Sequence, residues 1–210
     1  MAKRLASVAV ALMAALSFCL LLSFGPLWAD GPRNIVMLGD SLTAGGDWAP
    51  LDPGGEVLNQ GVPGDGFNQI LRRLGATVEA RPGIVFLQVG INDLGAGRDM
   101  EAIVSGHRAI WQELRSAIPG LRLVVCSLIP VSERAYGERS RISNRRILET
   151  NRLLAEAASR AGLEFVDLFG PLFEEGQGLP RDLTFDGLHL TKKGQGIWLG
   201  ELASFLAASR

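Results

Sequence analysis

The chain has 210 residues, of which 47% are hydrophobic and 20% are charged. This length suits one domain with a buried core, and this composition excludes a disordered, collagen-like or coiled-coil protein. Lys and Arg total 21 and Asp and Glu total 22, so the formal net charge of −1 lacks the basic excess of a typical nucleic-acid-binding protein. Two cysteines, Cys19 and Cys126, are too few for a disulfide framework or a zinc cage.

The N-terminal segment differs in composition from the rest of the chain. Two basic residues are followed by an uncharged and largely apolar stretch, Leu5–Ala29. This pattern is typical of a secretory signal peptide, so we predict a signal peptide over residues 1–29 and one domain over residues 30–210. The alternative is an uncleaved anchor in which residues 5–28 contact the membrane, because about 20 apolar residues can span a bilayer. Either interpretation predicts a periplasmic or secreted domain.

Short apolar runs alternate with helical patterns over the rest of the chain. The apolar runs predict buried strands at residues 35–38, 57–59, 84–89, 121–126 and 164–167. Apolar residues at helical spacing predict helices over residues 67–74, 100–118, 143–161 and 193–208. This alternation predicts an α/β fold in which helices cover both faces of a parallel sheet.

Reactive polar groups follow the first three predicted strands and precede the last helix. The four motifs are Gly39-Asp40-Ser41-Leu42, Asn59-Gln60-Gly61, Gly90-Ile91-Asn92-Asp93 and Asp186-Gly187-Leu188-His189. The carboxyl ends of the strands form the binding crevice in an open parallel sheet. We therefore expect the first three motifs to meet at that edge and the fourth to fold over them.

Ser41 and His189 are the candidate nucleophile and base. A serine hydroxyl is a weak nucleophile and needs a base within hydrogen-bond reach. His107, one of two histidines in the chain, falls on the apolar stripe of a predicted helix, where a packing role is typical. His189 lies in a polar turn three residues after Asp186, and this spacing lets the carboxylate hold one ring nitrogen while the other faces the serine.

The oxyanion of an ester-cleaving serine enzyme needs hydrogen-bond donors. We expect these donors to be the backbone N–H groups of Ser41 and Gly61 and the side-chain amide of Asn92. Asp40 and Asp93 are expected to support the site by accepting backbone N–H bonds. We predict no cofactor.

Together the four motifs resemble the GDSL, or SGNH, serine hydrolase family, in the family order and over residues 34–210. The resemblance implies a flavodoxin-like three-layer α/β/α sandwich with a parallel five-stranded sheet in the strand order 2-1-3-4-5. It also implies metal-free hydrolysis of esters or thioesters. Ser41 would be the nucleophile, Asp186 and His189 would complete the triad, and Gly61 and Asn92 would stabilise the oxyanion.

Two branches of the family share features with this chain. Residues 90–93 and 186–190 are similar to the platelet-activating-factor acetylhydrolase type and to bacterial acetyl esterases of carbohydrates, whereas residues 38–45 also resemble the exported thioesterase and lysophospholipase type. We expect a small-molecule ester, an acylated carbohydrate or lipid, to be cleaved through an acyl-enzyme. The alternatives are longer-chain thioesters or lysophospholipids, acyl transfer to a sugar, and non-catalytic binding of carbohydrate or lipid.

Three further features have competing interpretations. Trp48 could line the pocket or simply pack in the core. The sequence predicts that Cys126 is a buried strand residue rather than a nucleophile. Five arginines could attract an anionic substrate or form a solvated helix start, which is the commoner role of such clusters. They are Arg134, Arg139, Arg141, Arg145 and Arg146.

Overall fold

Five parallel strands form one sheet in the order β2-β1-β3-β4-β5. The computed structural model describes residues 34–137 and 139–208, and the predicted signal peptide lies outside them. The strands are β1 (Ile35–Gly39), β2 (Val57–Gly61), β3 (Ile84–Gln88), β4 (Arg122–Cys126) and β5 (Glu164–Val166). The predicted fold class and strand order are confirmed.

Helices connect the strands and cover the sheet. They are α1 (Ser41–Ala44), α2 (Phe67–Arg72), α3 (Leu74–Ala80), α4 (Ile91–Gly95), α5 (Met100–Ala117), α6 (Glu133–Tyr136), α7 (Asn144–Arg160), α8 (Phe169–Leu172) and α9 (Lys192–Ala208). A 3₁₀ turn covers Ala49–Leu51. The helix predicted over residues 67–74 is divided at Arg73, whose backbone leaves the helical region with φ −118° and ψ 13°.

The core lies on both faces of the sheet, because successive side chains of a strand point to opposite sides. Val36 and Leu38 of β1 belong to one buried cluster, which also contains apolar side chains of α2, α5 and α7. Ile35 and Met37 belong to the other cluster, which includes Trp198 of α9. The protein is therefore a three-layer α/β/α sandwich, as the alternation of elements predicts.

Trp48 and Cys126 both lie in this core. Trp48 is buried, its Nε1 donates to the Thr43 carbonyl at 2.9 Å, and its ring meets Trp198 edge-on with centroids 5.0 Å apart. Its role is therefore packing. Cys126 is buried in β4, and burial raises the pKa of its thiol far above the usual range. Such a thiol is unreactive, as expected from the sequence.

The register of the sheet brings three strand ends to one level. Gly39, the last residue of β1, pairs with Gly61 at the end of β2 and with Gln88 at the end of β3. The segments that follow these strands therefore begin side by side at the carboxyl edge. Within residues 34–137 and 139–208, no helix is both long and apolar enough to cross a membrane.

Candidate active site

A tight turn from β1 into α1 carries Ser41 to the carboxyl edge of the sheet. Asp40 precedes the helix, and its Oδ1 accepts the backbone N–H of Leu42 at 3.0 Å. This bond satisfies one of the free N–H groups at the start of the helix. Ser41, the first residue of α1, is partly exposed, so its hydroxyl is accessible at this edge.

Ser41, His189 and Asp186 form a continuous chain of hydrogen bonds. The Oγ of Ser41 lies 2.9 Å from Nε2 of His189, and Nδ1 of His189 lies 2.6 Å from Oδ2 of Asp186. An ionised carboxylate only accepts hydrogen bonds, so we assign the imidazole proton to Nδ1. Nε2 is then free to accept the proton of the serine hydroxyl, which is the arrangement that activates a serine nucleophile.

The turn that carries His189 is held by its own hydrogen bonds. The Oδ1 atom of Asp186 accepts the N–H groups of Leu188 at 2.9 Å and His189 at 2.7 Å. The Thr184 hydroxyl donates to the His189 carbonyl at 2.7 Å and accepts the Gly187 N–H at 2.9 Å. These bonds hold the short segment that carries the imidazole. Asp186 and His189 thus reach Ser41 from a loop that is 145 residues or more distant along the chain.

Asp186 is kept ionised beside the imidazole. Burial raises the pKa of Asp186, but hydrogen bonds from the side chain and backbone of His189 and from the Leu188 N–H outweigh it, and the pKa lies below its usual value. A carboxylate that remains charged can stabilise the imidazolium that forms when His189 takes a proton.

Asp40 shows the opposite shift on the other side of Ser41. Burial raises the pKa of Asp40 to about 7, although the Leu42 N–H and the charge of His189 act to lower it. The nearby carboxylates of Asp65 and Asp93 raise it further. The site thus contains a carboxyl group that carries a proton at mildly acidic pH.

Asn92 lies at the same edge, in the first turn of α4. Its Nδ2 donates to the Asp65 carbonyl at 2.9 Å, and the side chain is partly buried. The next residue, Asp93, accepts the Phe67 N–H at 3.0 Å and pairs with Arg98 at 3.4 Å. Asp40 and Asp93 therefore both accept backbone N–H groups at the starts of helices around the site, as the sequence predicts.

Gly61 does not offer its N–H to the site. This N–H donates to the Oδ1 of Asn59 at 3.0 Å, and Asn59 in turn donates to the carbonyls of Ala44 and Gly46 at 3.2 Å each. A Cβ at position 61 would lie 2.2 Å from the Ala44 nitrogen, so glycine is needed here for the close packing of β2 against α1. The geometry contradicts the expectation that Gly61 is an oxyanion donor.

Gly64, three residues after Gly61, is the candidate donor that the sequence motifs did not indicate. The Asp65 N–H bonds the Val62 carbonyl at 3.2 Å, and Gly64 has φ +84°, so Pro63 and Gly64 occupy the centre of a turn with the signature of type II. Among the described residues, nothing accepts a hydrogen bond from the Gly64 N–H. The Pro-Gly dipeptide is the sequence signal that could have indicated this turn.

Arg73 joins the end of β1 to the loop that follows β2. Its Nε donates to the Asp65 carboxylate at 2.6 Å, and its Nη2 donates to the Gly39 carbonyl at 2.9 Å. Asp65 also accepts the Asn92 amide through its carbonyl. Arg73 therefore holds the turn that carries Gly64 against the end of β1, two residues before Ser41, and no motif in the sequence pointed to it.

His107 lies away from this constellation. It is fully buried in α5, its Nε2 lies 2.9 Å from the Val89 carbonyl, and its ring meets Trp111 edge-on. Burial lowers the pKa of His107 to about 4, only partly opposed by the Val89 carbonyl. The imidazole is therefore a neutral core residue at physiological pH, in agreement with its predicted packing role.

The described part of the chain contains no group of three or more His, Cys, Asp or Glu side chains able to hold a metal ion.

Of the five arginines after β4, Arg146 donates to the carbonyls of Arg141 and Arg98. These bonds tie the start of α7 to the loop before α5, which is a structural role.

Comparison with known proteins identifies the family. The model of the GDSL-like Lipase/Acylhydrolase family matches residues 37–197. The rat platelet-activating factor acetylhydrolase IB subunit alpha2 is 25% identical over 172 residues, which cover 79% of this chain and 72% of the rat protein.

Two solved structures show the same fold. A Streptococcus pneumonia protein, proposed to be a platelet activating factor, has a TM-score of 0.73 at 27% identity, with 86% of each chain covered. A lipase/acylhydrolase from Enterococcus faecalis has a TM-score of 0.70 at 22% identity and covers 84% of this chain and 96% of its own. Since the family model spans most of the sequence, including all four motifs, this protein belongs to the GDSL-like lipase/acylhydrolase family of ester hydrolases.

Proposed function

We propose that this protein hydrolyses esters of small acyl groups, of the acetyl type, through a covalent acyl-enzyme on Ser41. The observation that carries the proposal is the hydrogen-bonded chain from Ser41 through His189 to Asp186. The preference for a small acyl group is supported by the similarity to the rat protein, which is named as an acetylhydrolase subunit. The uncharged stretch Leu5–Ala29 supports export of the domain from the cytoplasm.

In the first half-reaction, the Oγ of Ser41 attacks the ester carbonyl while His189 takes the hydroxyl proton at Nε2. Asp186 stabilises the resulting imidazolium through Nδ1. The tetrahedral intermediate carries a negative oxygen, which we propose is bound by the N–H groups of Ser41 and Gly64 and by the amide of Asn92. The C–O bond to the alcohol then breaks, and His189 gives its proton to the departing alcohol oxygen.

In the second half-reaction, a water molecule attacks the acyl-enzyme. His189 takes a proton from this water, and the same donors bind the second oxyanion. The bond between Ser41 and the acyl carbon breaks, the carboxylic acid leaves, and the proton returns to the serine oxygen. Every proton transfer therefore passes through Nε2 of one imidazole, which is why its contact with Ser41 is central to the proposal.

The test combines labelling with a substrate series. A fluorophosphonate should label the wild-type protein and the exposed-serine control Ser116→Ala, but not Ser41→Ala, with folding checked by circular dichroism. The wild type should hydrolyse p-nitrophenyl acetate faster than the longer-chain esters. A preference for long acyl chains would favour a thioesterase or lysophospholipase, and transfer of the acyl group to an added sugar would favour a transferase. Absence of both labelling and turnover would contradict the catalytic proposal.

A further inference from the structure

Phe185 is the most exposed large hydrophobic side chain of the described residues. Its exposed fraction is 73%, compared with 48% for Leu148 and 40% for Val62. Single exposed apolar side chains are common on protein surfaces, so exposure alone is no argument. The position of Phe185, immediately before the Asp186–His189 turn, is what distinguishes it.

The Phe185 ring lies against the imidazole of His189. The two rings are stacked, with centroids 5.7 Å apart and planes inclined by 13°. The Phe185 N–H also donates to the His189 carbonyl at 3.2 Å, and an isolated bridge pairs Thr184 with Leu190. The backbone on both sides of the ring is thus held, and Phe185 presents an exposed apolar surface beside the proposed base.

The chemistry of ester cleavage determines which part of a substrate reaches this surface, and this step rests on the proposed function. The alcohol oxygen must approach Nε2 of His189, since it receives its proton there. The carbonyl oxygen must instead approach the donors contributed by the loops after β2 and β3. The alcohol portion therefore departs along His189, where the Phe185 ring lies, whereas the acyl group is not directed to this side.

We propose that Phe185 is a specificity-determining residue that binds the apolar part of the leaving alcohol. The substrates it favours are esters of a small acyl group whose alcohol carries an aliphatic chain or another apolar face next to the ester oxygen. Binding such an alcohol removes both its surface and the exposed ring from water, which is favourable in proportion to the apolar area buried. A polar, fully hydrated alcohol gains nothing from this contact.

The test compares added methylene groups on the two sides of the ester. Ethyl acetate and hexyl acetate differ only in the alcohol, and ethyl acetate and ethyl hexanoate differ only in the acyl group. Phe185→Ala should lower the ratio of kcat/KM for hexyl acetate over ethyl acetate by about tenfold, since part of the buried methylene surface is lost. The ratio for ethyl hexanoate over ethyl acetate should stay unchanged.

Two further variants make the comparison specific. Leu148→Ala removes another exposed apolar side chain, on α7, and should leave both ratios at the wild-type values. Phe185→Leu keeps an apolar side chain and should retain part of the preference for hexyl acetate. Equal loss of activity by Phe185→Ala on all three esters, with a changed pH profile, would show that the ring only positions His189 and would overturn the inference.

Failure of the proposed function would be recognised separately. If the wild type cleaves none of the esters and the fluorophosphonate does not label Ser41, both proposals are wrong. If the wild type is active and labelled at Ser41 but Phe185→Ala leaves the alcohol ratio unchanged, only the role assigned to Phe185 is wrong.

Discussion

The Nδ2 atom of Asn92 donates a hydrogen bond to the backbone carbonyl of Asp65 at 2.9 Å. This bond joins the start of α4 to the turn after β2, which carries Gly64. A side-chain amide has two N–H donors, so one remains available after the bond to Asp65 is made. The same contact thus holds the Asn92 side chain in place and leaves one N–H group for the substrate oxygen that we propose it binds.

Asn92→Ala should therefore lower kcat by about 10²–10³, with little change in KM, because the lost donor acts mainly when charge develops on the substrate oxygen. Steady-state kinetics with p-nitrophenyl acetate measures both parameters. The control Asn68→Ala, on α2, should keep the wild-type values. A loss confined to KM would show that Asn92 binds the ground state instead.

Replacements of the two glycines should have different effects. Gly61→Ala places a Cβ 2.2 Å from the Ala44 nitrogen, and such overpacking should lower the free energy of unfolding by about 1–3 kcal/mol. Gly64→Ala meets no atom within 4 Å, but φ +84° is strained for alanine by roughly 1 kcal/mol. Relief of that strain would redirect the Gly64 N–H. This variant should therefore have a clearly lower kcat but only a small change in its free energy of unfolding.

Urea denaturation and kcat measured on the same samples separate these effects. Gly200→Ala in α9 is the control, because a Cβ there also meets no atom within 4 Å and the helical backbone suits alanine. It should be at least as stable as the wild type and fully active. The opposite ranking, with Gly61→Ala stable but inactive, would restore Gly61 as the donor.

Replacing either histidine should have a different effect: loss of activity for His189 and loss of stability for His107. His189→Ala removes the only imidazole in contact with Ser41 among the described residues, and it should nearly abolish ester hydrolysis. His107→Ala leaves a cavity in the core beside α5 and an unpaired Val89 carbonyl. The variant should therefore unfold at a lower urea concentration but retain most of the wild-type kcat when folded. An active His189→Ala variant would disprove the site.

Asp40→Asn should alter the pH dependence of stability. The folded protein raises the pKa of Asp40 from 3.8 to about 7, so between these pH values the folded state keeps a proton that the unfolded state has released. Stability of the wild type must fall as pH rises through this window. Asparagine can still accept the Leu42 N–H and carries no charge, so the variant should be more stable above pH 7 by on the order of 2–4 kcal/mol.

Urea denaturation at pH values below and above this window tests the prediction. The advantage of Asp40→Asn over the wild type should shrink toward zero near the acidic end, where both folded states are neutral at position 40. The exposed-residue control Asp99→Asn should show no such pH-dependent difference. Equal stability of Asp40→Asn and wild type at alkaline pH would show that burial of Asp40 does not destabilise the folded protein.

Local patterns in the sequence were sufficient for the five strands, for the long helices and for the three residues of the hydrogen-bonded chain, but not for the short helices. Apolar runs bounded by glycine and proline predicted the strands, because burial of a parallel sheet on both faces leaves that pattern. The polar groups after the strands indicated the crevice, because parallel strands bring their carboxyl ends to one edge. Ser41, His189 and Asp186 could thus be selected before any contact among them was known.

The choice between Gly61 and Gly64 required the tertiary structure. Both glycines follow the same strand, and the sequence does not show which backbone N–H is already bonded. That depends on Asn59, which bonds Gly61 and the last carbonyl of α1, and on Arg73, which bonds Asp65 and the end of β1. Periodicity and turn chemistry are local properties of the chain, whereas a free donor is defined by what residues distant in sequence leave unpaired.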